Sequence, residues 1–266
     1  MVGERKSWTL TFVIMGIMIL FFYAPIASLM IFSFNESRSL TQWSGFSLKW
    51  YQELFDNREM LKAISTTISI ALLSTLASTV VGTITAIGIS KSRRLIKEII
   101  LNVNNFPILN PEIVTAIGLM LLYTTLNIEK GYMTMLIAHI AFSTPYVILT
   151  VLPKLRRLDP DLAEAALDLG CKPMSALVKI IVPLIMPGIV SGALIAFTMS
   201  FDDFVISYFV SGNGVKNISI LVYTMSKRIN PTINALSTIL VVIITVILLI
   251  VNLYPILKKG STKVME

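Results

Sequence analysis

One cysteine, Cys171, and one histidine, His139, are all that this chain of 266 residues offers of the two side chains most used by metal and redox sites. A lone cysteine excludes an internal disulfide. His139 sits in an apolar stretch with no second ligand at helical spacing, so a buried neutral imidazole is expected there, not a metal ligand. No GxxxxGK[ST] phosphate loop occurs, which excludes ATP binding by that route. Charged residues are scarce as well, 14% against 55% hydrophobic, with a mean hydropathy of +0.80. A soluble domain of this length is not that apolar, and the apolar residues come in blocks.

Six blocks are long enough to cross the roughly 30 Å of a bilayer's hydrocarbon as helices. They are Thr9–Phe34, Ile64–Ser90, Ile99–Tyr123, Tyr132–Leu152, Leu184–Val210 and Ile233–Leu257. Together they predict a single all-α integral membrane domain over residues 1–266 with short connections. The first block follows Arg5 and Lys6 but is too long for a signal-peptide core, and no small-x-small site closes it, so a retained helix is expected.

Lysine and arginine set the orientation. If the loops alternate sides, one side carries 14 of the 22 cationic residues, among them Arg93, Arg94, Lys97, Lys154, Arg156 and Arg157, and the other carries 8. The richer side is expected to be cytoplasmic, with both termini and the loop Pro153–Pro183 on it. The formal charge of +7 is then a topology signal. A nucleic-acid surface would need a basic face on a soluble domain, which this chain lacks.

The loop 153–183 contains Glu164-Ala165-Ala166, three residues, Gly170, nine residues, and Ile180-Ile181-Val182-Pro183. Asp159-Pro160 is a good helix start, since Asp caps orphan N–H groups and Pro is tolerated in a first turn. Leu162, Ala165, Ala166 and Leu169 share one face at helical spacing, with Asp161, Glu164 and Asp168 around the rest. Gly170 can end that helix, and Pro173 can begin another through Lys179. A short helix with small alanines and a few carboxylates suits docking into a groove on a soluble partner. An ordinary amphipathic connector at the membrane surface is the plainer reading of the spacing alone.

Two blocks carry small residues every fourth position: Ser74, Ser78, Gly82, Ala86, and Gly188, Gly192, Ala196, Ser200. Such stripes let helices approach closely, and close packing within the bundle is their first explanation. Intramembrane carboxylates are the sharper signal, because each costs roughly 2.5–3.5 kcal/mol to insert. Glu112 lies in the third block; Asp202 and Asp203 lie in the fifth, about 100° apart around a helix. Asp203 falls near the small-residue face. The central parts of the blocks hold no Lys or Arg to neutralise these groups, which points to a cationic substrate. Phe201, Phe204, Tyr208 and Phe106 can add cation–π contacts to an amine. Asp202 as the cap of a broken helix, and Glu112 as a partner for backbone freed by a proline, are the structural alternatives. Asn102, Asn104, Asn105, Pro107, Asn110 and Pro111 make the third block irregular, so part of it is expected to be unwound beside a cavity. Pro145 and Pro187 are candidate kinks.

The loop pattern resembles the cytoplasmic coupling loop of ABC-importer permeases, with Val182 where Leu is usual. Phe32–Ser37 (FSFNES), Phe46–Tyr51 (FSLKWY), Asn110–Val114 (NPEIV) and Ser200–Phe204 (SFDDF) follow in an order similar to the spermidine/putrescine branch of the binding-protein-dependent ABC importer permeases, over essentially the whole chain. Glu112 stands where that branch usually has Asp. The resemblance implies the six-helix type I (MetI-like) permease fold in a bacterial inner membrane. It implies no enzyme activity and no cofactor in this chain, with ATP and Mg held by partner ATPase subunits. The implied partners are a PotB-like permease, two PotA-like ATPase subunits and a PotD-like extracytoplasmic polyamine-binding protein. The implied coupling residues are Glu164, Ala165, Ala166, Asp168, Gly170 and Pro183. The alternatives are a type I permease for another solute, such as a metal ion, thiamine or an organic anion, and an ATP-independent cation channel with an acidic ring. An intramembrane enzyme lacks a Ser/His, HExxH or paired-Asp arrangement: Asp202 and Asp203 diverge on a helix and make a poor dyad.

Overall fold

A computed structural model describes residues 2–159, 161–226 and 230–262. Lys227, Arg228 and Lys263 of the charge count, and Pro160 of the expected helix start, lie outside the described residues. Long apolar segments can satisfy their backbone in hydrocarbon only as helices, and helix is what they form. The helices are α1 (Val2–Phe32), α2 (Lys49–Asp56), α3 (Arg58–Lys91), α4 (Arg94–Leu109), α5 (Glu112–Thr125), α6 (Tyr132–Arg156), α7 (Asp161–Asp168), α8 (Pro173–Ala176), α9 (Val182–Asp202), α10 (Val205–Val210), α11 (Ile218–Ser226) and α12 (Pro231–Thr262). A π-helical turn, Leu177–Ile181, joins α8 to α9.

Leu10–Phe32, α3, α6 and the run Pro173–Asp202 are each long and apolar enough to span a membrane, and α4 with α5 are so when taken together as one bent pair. The sixth expected block falls on α12, whose 32 residues reach about 48 Å.

Two spans depart from the straight helices that hydrophobicity alone describes. The third bends by 106° between α4 and α5. Pro111 has no N–H and forces Asn110 into extended backbone at φ −84°, ψ 145°, and this stops α4. Pro107, by contrast, stays inside α4, so the irregularity is confined to Asn110–Pro111. The fifth span begins earlier than expected, at Pro173 in the loop, and it ends at Asp202, with a separate α10 after the break. Pro145 and Pro187 lie within α6 and α9.

The chain forms two compact units, Lys62–Leu221 and, separately, Met1–Leu61 with Val222–Glu266. In the second of these, α12 packs on α1 and α2. Its loop is tied by Asn35, whose Nδ2 donates to the carbonyls of Ser39 and Gln42 and whose Oδ1 accepts from the Ser44 N–H. The buried Trp50 indole donates to the Asn35 carbonyl at 2.6 Å, and Phe34 stacks on both Phe46 and Tyr51. The two motifs FSFNES and FSLKWY are therefore the two sides of one folded loop.

Lys62–Leu221 is organised around α6. Both small-residue stripes face it. A Cβ on Gly192 would lie 2.5 Å from Thr150 Oγ1, one on Gly188 would lie 2.7 Å from Lys154 Cγ, and one on Gly82 would lie 2.7 Å from Val147 Cβ. The stripes are packing surfaces within the chain. Gly192→Leu should therefore force α9 off α6 and cost about 1–3 kcal/mol. A Tm drop of several degrees in detergent, absent in Gly118→Ala where no atom lies within 4 Å of the added Cβ, would confirm it.

Candidate functional site

The coupling motif folds as a helix–turn–helix. The Asp159 carboxylate accepts the Asp161 N–H at 3.0 Å, which opens α7 as a side-chain cap. Gly170 closes it at φ +81°. The Gly170 N–H returns to the Leu167 carbonyl and the Cys171 N–H to that of Ala166, a Schellman pattern that needs a left-handed residue and so favours glycine. The expected apolar face turns out to be rotated. Ala166 is buried and Leu162 half-buried, whereas Ala165 and Leu169 are exposed along with Glu164 and Asp168. The reason is contact: α7 packs on α8 and the π turn, and a small residue at 166 permits that approach. Pro183 sits in the first turn of α9 and is exposed. Glu164, Ala165, Asp168 and Leu169 thus form a surface left exposed by the described residues. Behind α7 lies a hollow of about 440 Å³ lined by Ile87, Leu155, Leu167, Ala176 and others.

The three intramembrane carboxylates differ sharply in surroundings. Asp203 is buried, 8% exposed, at the point where the backbone leaves α9 with ψ 127°. Its Oδ1 accepts the Ile206 N–H at 3.2 Å, and its Oδ2 accepts both the N–H and the hydroxyl of Ser207 at 2.7 Å. Asp203 thus caps α10 and fixes the break. Charged hydrogen bonds of this kind contribute about 1.5–3 kcal/mol each, which offsets the desolvation of a buried carboxylate.

Asp202 is the last residue of α9, with its side chain exposed. Its carbonyl accepts a weak 3.3 Å bond from the Ser219 hydroxyl. Glu112 opens α5 just after the bend and is exposed. It lines a narrow cavity of about 20 Å³ with Pro107, Thr115, Phe142, Tyr146, Met199 and Ile206. Met199 of α9 and Ile206 of α10 line the same cavity as Glu112, so the bend at Asn110–Pro111 and the break at Asp203 face one region. The aromatics are near: Phe201 stacks on Phe197 at 5.6 Å, and Phe204 meets Tyr208 at 5.4 Å. Phe204 and Phe201 are half-buried, while Tyr208 and Phe106 are exposed.

His139 is where spacing said least. It is fully buried on α6, with Nδ1 2.6 Å from Ser200 Oγ and Nε2 2.9 Å from Ser207 Oγ. Asp203 Oδ2 lies 3.4 Å from Nε2. The Ser74 hydroxyl reaches Ser200 Oγ at 2.9 Å, and the Asn217 amide donates to Ser207 Oγ and to the Asp203 carbonyl at 2.9 and 2.8 Å. A Ser four residues after an Asp at the end of an apolar run was the signal for the cap. The links to His139 cross more than 60 positions and have no local sign.

A family model described as "Binding-protein-dependent transport system inner membrane component" matches residues 78–258. The chain is 36% identical over 249 residues to the putrescine transport system permease protein PotI of Escherichia coli (strain K12), covering 89% of this chain and 86% of the relative. It is 37% identical over 224 residues to the spermidine/putrescine transport system permease protein PotC of the same strain, covering 84% and 85%. Among solved structures, a bacterial ABC transporter involved in the import of the acidic polysaccharide alginate matches with a TM-score of 0.74 over 97% of both chains at 17% identity. At that identity the likeness concerns the fold.

Proposed function

Because the chain belongs to the family of inner-membrane components of binding-protein-dependent transport systems, and is thus a multi-pass inner-membrane permease of an ABC importer, we propose that it forms half of the path of an ATP-driven polyamine importer. Its substrates would be spermidine and putrescine. The observation that carries this is the placement of Glu112 at one break in the spans and of Asp202 and Asp203 at another, with residues flanking the second break lining the Glu112 cavity, in a chain similar over more than four-fifths of its length to two permeases named for polyamine transport. Glu112 is the charged residue among those lining the cavity, and a carboxylate there favours a nearby cation over an anion.

In this reading a PotD-like binding protein delivers the amine at the extracytoplasmic side. Asp202 and Glu112 meet its ammonium groups, and Phe201, Phe204 and Tyr208 add cation–π contact. Asp203, already committed to its cap, supplies a fixed negative charge behind them. A PotB-like permease completes the path. Two PotA-like ATPases hold ATP and Mg, and one of them docks on Glu164, Ala165, Asp168 and the turn around Gly170. Ala166 and Pro183 hold that surface against the membrane helices. Both termini are cytoplasmic, which puts the coupling loop on the side of the ATPase.

The test is uptake of labelled spermidine and putrescine in cells lacking other polyamine importers, with this chain and its partners expressed. Uptake of either amine that stops when ATP is depleted is the expected result. No uptake by an assembled complex with an active ATPase would overturn the polyamine reading.

A further inference from the structure

The hydrogen bonds around His139 form one connected run. The single Ser207 hydroxyl proton goes to Asp203 Oδ2, so Ser207 Oγ must accept from His139, and Nε2 carries the proton. The Ser74 hydroxyl lies between the Ala71 carbonyl at 3.3 Å and Ser200 Oγ at 2.9 Å, and Ser200 Oγ meets Nδ1 at 2.6 Å. A connected chain results: Ser74, Ser200, His139, Ser207 and Asp203. Ser207 Oγ also accepts the Asn217 amide, and Asp203 Oδ2 also accepts the Ser207 N–H, so the far end of the chain is held by two further donors. The chain is drawn from α3, α6, α9 and α10 and lies entirely within one compact unit. It also backs the acidic cavity. Phe142, which lines the cavity beside Glu112, meets the His139 ring edge-on at 5.1 Å, and the cavity residues Met199 and Ile206 adjoin Ser200 and Ser207 in sequence.

We propose that His139 is a positioning residue for cation recognition: through Ser200 on one side of the α9–α10 break and Ser207 on the other, it sets the break and with it the placement of Asp202 and of the cavity wall facing Glu112. The inference rests on the polyamine reading above, and it adds a residue that never touches the amine. No basic side chain takes part in the chain, and Asp203 is the one carboxylate within contact of the imidazole among the described residues. His139 therefore acts through the placement of Ser200 and Ser207.

The experiment compares uptake kinetics of His139→Leu, His139→Gln and Ser207→Ala with wild type in the full complex, and measures assembled complex and basal ATPase alongside. Expected is a rise in KM of about tenfold for His139→Leu and a similar one for Ser207→Ala, with the double variant no worse than either single, since both break one link. His139→Gln, whose amide can donate to Ser207 and accept from Ser200, should recover most of the affinity. Basal ATPase should stay at the wild-type level throughout.

Wild-type KM in an assembled His139→Leu complex overturns the proposal and leaves the polyamine reading intact. Equal loss of assembled complex in His139→Leu and His139→Gln overturns it too, by reducing His139 to a fold requirement. Absence of polyamine uptake by wild type overturns both.

Discussion

Glu164→Lys should reduce ATP-dependent polyamine uptake by about 100-fold or more while the chain still folds and inserts. Glu164 is exposed on the outward side of α7, and surface substitutions of that kind usually change stability by no more than about 0.5 kcal/mol. Reversing a charge in a docking surface is different, because like-charge juxtaposition across an interface costs several kcal/mol, and 3 kcal/mol is already more than a hundredfold in affinity. The measurement is uptake together with co-purification of the ATPase subunits. Loss of uptake with weakened ATPase capture supports coupling through α7. An unchanged uptake rate would mean that conduction does not depend on this loop, as in an ATP-independent channel, and would remove the coupling reading.

That loop was legible in the sequence because its information is local. The Asp159 cap, the Gly170 turn and the Pro173 start are each one residue type answering one backbone need, and all lie within fifteen positions. The spans were legible for the same reason, since hydropathy sums over a window. The breaks were less so. Pro111 announced the bend between α4 and α5, but Pro107 announced one equally and sits inside a continuous helix. At Asp203 nothing local forbids helix; the break exists because Ser207 and the Ile206 N–H reward a carboxylate that turns back on them. The His139 chain was beyond reach. It joins Ser74, His139, Ser200 and Ser207 across four helices, and only tertiary packing brings serines that read as a small-residue stripe onto an imidazole.

The same comparison of surroundings separates the roles of the three acids and yields the second large effect. Glu112→Gln and Asp202→Asn keep size and remove charge at two exposed carboxylates, one lining the cavity and one ending α9. A charged hydrogen bond contributes about 1.5–3 kcal/mol, so each substitution should raise the KM for spermidine about 10–100-fold, and the pair should come close to abolishing uptake at micromolar amine. Neither carboxylate fixes the fold, so assembled complex should stay at the wild-type amount. Asp203→Asn should behave in the opposite way. An amide at 203 can offer only one accepting atom to three donors, the Ile206 and Ser207 N–H groups and the Ser207 hydroxyl. The buried break then loses its cap, and assembled complex should fall before any change in KM can be read. Measuring KM against the amount of assembled complex for the three variants distinguishes an acid that meets the substrate from one that holds the helix. If Asp203→Asn assembles normally and only KM rises, its cap is dispensable and Asp203 belongs with the other two at the substrate.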